Sequence, residues 1–128
     1  MDTAGIALGA LCERMGITLE AADVAGVTGR MPVAGNTQPF GALHGGATAV
    51  LAETLGSIAA NLLAGEGRYA VGIELSVSHH RPVTTGWVHA TATALAHGRS
   101  FATIAIDVSD DEQRRTASAR LTCAFRDR

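Results

Sequence analysis

The feature that most constrains the fold is one long, apolar helical run. Residues 47 to about 63 have high helix propensity, and apolar side chains fall on nearly every side of the predicted helix. This pattern is typical of a core helix that is buried on all sides. The chain must therefore supply a second layer that encloses the helix.

A change of hydrophobic period after the helix predicts that layer. Val71, Ile73, Leu75 and Val77 alternate with small or polar residues, which is the pattern of a half-buried strand. Three further runs alternate in the same way, and their short connections favour antiparallel hairpins. These runs are residues 87–96, 102–108 and 117–125.

The segment before the helix is less regular. A short amphipathic helix is predicted to end at Gly16, and two strand-like runs follow at residues 17–21 and 24–33. A turn-rich loop over residues 34–41 leads to the long helix. We expect one α+β domain over residues 1–128, with a curved antiparallel sheet of five or six strands wrapped around a long central helix.

Composition excludes several classes of function. The chain has 128 residues and a formal net charge of −2, and its ten cationic side chains are all arginine. Without a basic excess we expect no nucleic-acid partner and no anionic membrane partner. Without lysine, a mechanism through a Schiff-base lysine is excluded.

The cysteines and the first residues indicate the compartment. Cys12 and Cys123 are far apart in sequence and have no metal-ligand spacing, so we expect two buried thiols in a reducing environment. The chain opens with an acidic residue where a signal peptide carries positive charge. The expected localisation is cytoplasmic, and no cofactor is expected.

Glu53 is the residue that fits its surroundings least. It lies in the middle of the apolar helix, where an ionised carboxylate is costly to bury unless it is hydrogen-bonded or its pKa rises. It is therefore a candidate base or nucleophile. The alternatives are an exposed stripe or a structural hydrogen bond. Ser57, four residues on, shares the helix face and could orient a water molecule or the substrate.

A candidate oxyanion site lies at the start of the helix. His44 is followed by Gly45 and Gly46, and two glycines there leave backbone N–H groups uncovered at the positive end of the helix dipole. Tight loop geometry is the alternative explanation of the glycines. Together with Glu53, the pattern indicates acyl transfer.

The spacing of these groups adds a constraint. Gly45 and Glu53 are eight residues apart, which is about 12 Å along a helix. One small carbonyl group cannot contact both. A twofold dimer with antiparallel central helices solves the problem, because each site then takes groups from two chains.

Four consecutive residues, two histidines followed by an arginine and a proline, end the first alternating strand. Adjacent strand residues point to opposite faces, so the two histidines of this set are not expected to share a metal ion. The arginine could hold a phosphate, terminate the strand or be a plain surface charge. We expect one histidine to lie at the cleft, and we expect no metal site. The residues are His79, His80, Arg81 and Pro82.

Two further positions complete the candidates. Arg99 and Ser100 lie in a predicted turn and form a second possible phosphate contact. Gly72 interrupts a strand, which indicates close approach of another backbone or a ligand.

Three spaced motifs carry a resemblance to a known family. They read LHGGATAVLAETLGS, VGIELSVSHHRPV and HGRS. This set resembles the hotdog-fold thioesterases that use a helix glutamate, most closely the branch with the enterobactin-pathway proofreading thioesterase and 1,4-dihydroxy-2-naphthoyl-CoA thioesterase. Arthrobacter-type 4-hydroxybenzoyl-CoA thioesterase is a more distant member. The similarity runs from Gln38 to the C-terminus.

The resemblance implies a role for each matching residue. Glu53 matches the nucleophile or general base, and Gly45 the N–H that polarises the thioester carbonyl. Gln38 and His44 match groups that hold this carbonyl and the reacting end of the acyl group. Ser57 matches a hydroxyl that positions water.

The resemblance also implies a substrate and an assembly. Residues 79–82 and the stretch around Arg99 and Ser100 correspond to the lining for the pantetheine arm and nucleotide. The expected substrate is an acyl-CoA or acyl-carrier protein with an aromatic acyl group. The expected assembly is a homotetramer built as a dimer of dimers, with a homodimer as the minimum. Two other functions remain open: a 3-hydroxyacyl thioester dehydratase using His44 and Glu53, and a non-catalytic acyl-CoA-binding module.

Overall fold

The structure, a computed structural model, describes Thr3 and residues 5–128. A six-stranded antiparallel sheet, in the order β1-β2-β4-β5-β6-β3, packs against one long helix. The predicted α+β architecture, with one sheet around a central helix, is confirmed. The elements are α1 (Ala10–Met15), β1 (Thr18–Asp23), β2 (Gly26–Pro32), α2 (Gly45–Ala64), β3 (Arg68–His79), β4 (Trp87–His97), β5 (Phe101–Ser109) and β6 (Arg115–Asp127).

The core forms between α2 and the concave face of the sheet. Alternate residues of β2, β4, β5 and β6 are buried against the helix, as the period of two predicted. Leu51 and Leu55 of α2 are fully buried among them. A Cβ atom at Gly56 would lie 2.8 Å from Leu121 Cδ2, so the helix approaches β6 closely where it has no side chain.

The sheet covers only one face of α2, which corrects the prediction of a helix buried all round. Ala52 and Ala59 face the sheet and are buried, whereas Val50 and Ile58 are only partly covered and Glu53 is exposed. One curved sheet cannot enclose a helix completely, and α1 is too short to cover the rest. The apolar residues on the far face are therefore left partly open in the single chain.

The loop that leads into α2 is fixed by the half-buried side-chain amide of Asn36. Asn36 Nδ2 donates to the carbonyls of Met15 and Pro32, both at 2.8 Å, and the Asn36 carbonyl accepts the His44 N–H at 2.8 Å. This one residue joins the end of α1, the end of β2 and the start of α2. It therefore holds the loop that carries Gln38.

α2 is also long and apolar enough to cross a membrane by length and composition alone. Half of that stretch is buried within the fold, which is the pattern of a core helix.

Candidate active site

The N-terminus of α2 presents one free backbone donor. His44 caps the helix, and its Nδ1 accepts the Gly46 N–H at 2.8 Å. The prediction of two uncovered glycine N–H groups is therefore wrong for Gly46. Within the described part of the chain, the Gly45 N–H donates no hydrogen bond.

The cap also orients the His44 ring. Because Nδ1 accepts a hydrogen bond, the proton of the neutral imidazole must lie on Nε2. His44 is exposed, so this second N–H can donate to a ligand. The helix terminus thus offers a backbone donor at Gly45 and a side-chain donor at His44.

A cleft of ≈ 380 Å³ lies beside this helix terminus. It contains Gly45 and Gln38 together with all four residues of the motif at the end of β3. The structure thus brings six of the predicted site residues to one place, and Thr116 lies beside them. The six are Gln38, Gly45, His79, His80, Arg81 and Pro82.

Gln38 is held with its amide nitrogen available. Its Oε1 accepts the backbone N–H groups of Phe40 and Ala42. Since the oxygen is already used, the NH₂ group is the part of the side chain that remains to donate to a ligand.

The two adjacent histidines have different surroundings in this cleft. The His79 ring lies over the helix terminus, where a Cβ atom at Gly45 would be 3.0 Å from its Nε2. His80 Nε2 is 2.9 Å from Ser118 Oγ. Both line the cleft, which corrects the expectation of one, because His80 lies beyond the last residue of β3 and strand alternation no longer applies. No group of three His, Cys, Asp or Glu side chains that could hold a metal ion occurs in the described residues.

Glu53 lies on the open face of α2, eight residues beyond Gly45. The carboxylate is exposed in the single chain. The expectation of a buried carboxylate is therefore wrong for the chain taken by itself. It borders two apolar pockets of ≈ 510 Å³ and ≈ 390 Å³. Ser57 lines the larger pocket with Glu53, as expected from their spacing.

Gly72 makes the position of Glu53 possible. A Cβ atom at Gly72 would lie 2.5 Å from Glu53 Oε2, so the Glu53 carboxylate would have to move from its present position. The group that approaches this glycine is thus a side chain, the Glu53 carboxylate, rather than the backbone or ligand that was expected. Gly72 also borders an irregularity in the pairing of β3 with β6.

Cys123, which the sequence identified only as a buried thiol, lies beneath this carboxylate. It is the β6 partner of Gly72 and is fully buried. Burial, and secondly the negative charge of Glu53, raise the pKa of the Cys123 thiol from 9.0 to about 11. The thiol is therefore a neutral neighbour of Glu53 at physiological pH.

Asn61 was also missed by sequence analysis. It lines the larger pocket, and its side chain both accepts the Ala70 N–H and donates to the Ser57 carbonyl. It ties the end of α2 to the start of β3. Only the packing of α2 against the start of β3 in the folded chain reveals this role.

Arg99 and Ser100 lie at the opposite end of the sheet from the Gly45 cleft. The Arg99 carbonyl accepts from Arg68 Nη2 at 2.9 Å, and the Ser100 carbonyl accepts the Phe125 N–H at 2.9 Å. These contacts are near the start of β3 and the end of β6. The structure of one chain therefore does not bring this turn together with Arg81.

Comparison with known proteins identifies the class. Residues 40–117 match the family model described as "Thioesterase superfamily". The chain belongs to this superfamily, and its six-stranded sheet around a central helix is the hotdog fold. It is a thioesterase, an enzyme that hydrolyses thioesters.

Individual relatives support this assignment. The chain is 50% identical over 95 residues to the proofreading thioesterase EntH of Klebsiella pneumoniae, covering 73% of this chain and 69% of the relative. It is 41% identical over 119 residues to EntH of Cronobacter sakazakii, covering 92% and 87%. A thioesterase structure from Haemophilus influenzae has a TM-score of 0.88 at 36% identity and covers 91% of this chain and 82% of that chain.

The pKa of Cys123 provides a direct test of the position of Glu53. The substitution Glu53→Gln removes the negative charge, so the Cys123 pKa should fall below about 11 but stay above 9.0, because burial remains. Thiolate absorbance measured against pH, in a Cys12→Ser background, follows the titration. Glu74→Gln is the control, since Glu74 pairs with Thr122 rather than Cys123. An unchanged Cys123 titration in Glu53→Gln would contradict the described contact.

The same pKa shift affects stability. The folded-state pKa lies above the value of 9.0 for the free thiol, so the neutral thiol stabilises the fold below pH 9. This contribution should be lost as pH rises through about 11, and Cys123→Ala should remove that part of the pH dependence of unfolding.

Proposed function

We propose that this thioesterase hydrolyses an aromatic acyl thioester of CoA or of a carrier protein, with Glu53 as the reacting carboxylate and the Gly45 N–H as oxyanion donor. The observation that carries the proposal is the division of polar groups along α2. Donors without a partner cluster at its N-terminus, and a carboxylate lies at the mouth of apolar pockets in its middle.

The donors around Gly45 suit a developing oxyanion. The carbonyl oxygen of the thioester gains negative charge as the tetrahedral intermediate forms, and the Gly45 N–H points outward at the positive end of α2. The NH₂ group of Gln38 is an additional donor in the cleft that Gly45 lines, and the Nε2–H of His44 is a further donor at the helix terminus. Each strengthens its hydrogen bond as the charge on oxygen grows.

Glu53 supplies the second half of the reaction. As a base it takes a proton from water while the water oxygen bonds to the carbonyl carbon; the C–S bond then breaks, and the thiolate leaves and receives the proton. As a nucleophile its carboxylate displaces the thiolate and forms an anhydride, which water hydrolyses. Ser57 lines the same pocket and would orient that water in either case.

We further propose that each site is built from two chains. Gly45 lines a cleft that Glu53 does not reach, and about 12 Å of helix separates the two residues. β3 lies at an edge of the sheet, so a second copy can pair with it and extend the sheet. A twofold axis there, with antiparallel α2 helices, would set Gly45 of one copy beside Glu53 of the other. Two such dimers would form the proposed tetramer.

The twofold arrangement also explains the two proposed phosphate contacts. Arg81 lies at the Gly45 end of the sheet, and Arg99 at the other end. In a dimer with antiparallel α2 helices, the end of the sheet that carries Arg81 in one chain lies next to the end that carries Arg99 in the other chain. Arg81 and Arg99 could therefore contact one nucleotide from different chains, with Ser100, His79, His80 and Pro82 along the pantetheine arm.

The pocket beside Glu53 supports an acyl group of moderate size. Its volume of ≈ 510 Å³ lies within the usual range for small-molecule sites, roughly 300–1,000 Å³. The lining is mostly aliphatic, and Ser57 and Asn61 add polar groups. A substituted aromatic acid fits this combination. We propose no cofactor beyond the CoA or phosphopantetheine of the substrate, and we propose a cytoplasmic location.

Two substitutions test the proposed groups separately. Glu53→Gln keeps the size of the side chain but cannot act as base or nucleophile, so thiol release from benzoyl-CoA should be abolished while the assembly stays intact. Gly45→Pro removes the N–H, and proline suits the first helical position after the extended His44. It should lower kcat/KM by about 10²–10³.

Gly45→Ala is the matched control for Gly45→Pro. It adds the same Cβ atom near His79 but keeps the N–H, and it should retain most of the activity. Near-normal hydrolysis by Glu53→Gln, or equal losses in Gly45→Ala and Gly45→Pro, would contradict the assigned roles.

Gly72→Ala tests the position of the carboxylate. The new Cβ atom would displace Glu53 Oε2, and a misplacement of this size should lower kcat/KM by about 10²-fold. Gly26→Ala is the control, because its Cβ atom would meet neighbours only at 3.6 Å. Thioester hydrolysis and thermal unfolding should be measured for both. Wild-type activity in a folded Gly72→Ala variant would refute the proposed dependence.

A further inference from the structure

The two pockets beside Glu53 are separated by a very small set of residues. The larger pocket follows α2 towards its C-terminus and contains Ser57 and Ile58. The smaller pocket lies towards α1 and contains Cys12. The residues that border both pockets are Leu8, Glu53 and Thr54.

Two of these three residues cannot vary freely, one because of its proposed chemical role and one because its side chain is held in place. Glu53 is assigned to the reaction itself. The Thr54 hydroxyl donates to the Val50 carbonyl at 2.7 Å and is 3.3 Å from Cys12 Sγ. Thr54 is therefore held by its own helix and by α1. Leu8 is the residue whose size alone can change the separation between the pockets.

The position of Leu8 suits a dividing wall. It lies on the segment before α1, is half-buried and packs against the hydrophobic core. It is followed by Gly9, which has φ 91°, and the chain turns there into α1. Leu8 thus reaches the face of α2 from outside the helix and the sheet.

We infer that Leu8 determines the size of the acyl group that this enzyme accepts. The inference rests on the proposed function, in which the thioester carbonyl lies at Glu53. The acyl group then extends into the larger pocket beside Ser57, and Leu8 narrows its passage to the smaller one. A smaller side chain at position 8 joins the two pockets and admits longer acyl groups.

The test measures kcat/KM for benzoyl-CoA and for dodecanoyl-CoA with the wild type and two variants. Leu8→Ala should raise the dodecanoyl-to-benzoyl ratio by about tenfold, in the range expected when a hydrophobic pocket changes by a few methylene groups. Leu8→Phe should lower the same ratio, because a larger ring narrows the passage. Leu11→Ala is the matched control, since Leu11 borders only the smaller pocket, and it should leave the ratio near that of the wild type.

The outcomes separate this inference from the function on which it rests. If the wild type hydrolyses benzoyl-CoA, Glu53→Gln does not, and the ratio is the same in Leu8→Ala, Leu8→Phe and the wild type, the role of Leu8 is refuted alone. If Glu53→Gln is as active as the wild type, the proposed function fails. Light scattering on each variant completes the test, because a change of assembly without a change of ratio would make Leu8 an interface residue and overturn the inference.

Discussion

The rigid distance between Gly45 and Glu53 on α2 is the constraint on which the proposed site depends. A helix cannot bend to bring its first residue to a side chain two turns further along, so one chain presents the free Gly45 N–H and the Glu53 carboxylate in separate clefts. The sheet is folded around one face of that helix and leaves the other open. Both facts support the proposal that a second copy of the chain completes each site.

Close packing gives Glu53 its place on the open face. Gly72 leaves room for the carboxylate against β3, and the buried Cys123 lies below it on β6. Ordinary side chains at Gly72 would push the carboxylate away. The position of the Glu53 carboxylate is thus decided by the absence of one Cβ atom on β3, the strand that follows α2.

Much of the fold could be predicted from local patterns. The period of two after α2 identifies β3 to β6, and the His-Gly-Gly sequence identifies the start of the helix, although that start is at Gly45 rather than at position 47. The open face of α2 was not predictable in the same way. An apolar pattern indicates that a face avoids water, but it does not distinguish cover by the same chain from cover by a second copy.

The candidate site likewise has parts that could be predicted from local sequence and parts that could not. Gln38, Gly45 and the motif at residues 79–82 lie together because the loop and the strand end meet at the helix terminus. The Gly46 N–H was wrongly counted as free, since its partner is a ring orientation of His44 that the sequence does not specify. Cys123, Asn61 and Leu8 gain their roles from strand register and from contacts that form only in the folded chain, for which a single sequence carries no signal.

The most direct test of the two-chain site is complementation between inactive variants. Glu53→Gln and Gly45→Pro chains are purified separately, unfolded, mixed in equal amounts and refolded together. Random pairing puts both variants in half of the dimers, and each mixed dimer has one site with an intact Gly45 and an intact Glu53, so about a quarter of wild-type thioesterase activity should return. If each site is instead formed within one chain, every site in the mixture carries one of the two substitutions. The activity would then stay at the level of the separate variants, and the account of a shared site would be contradicted.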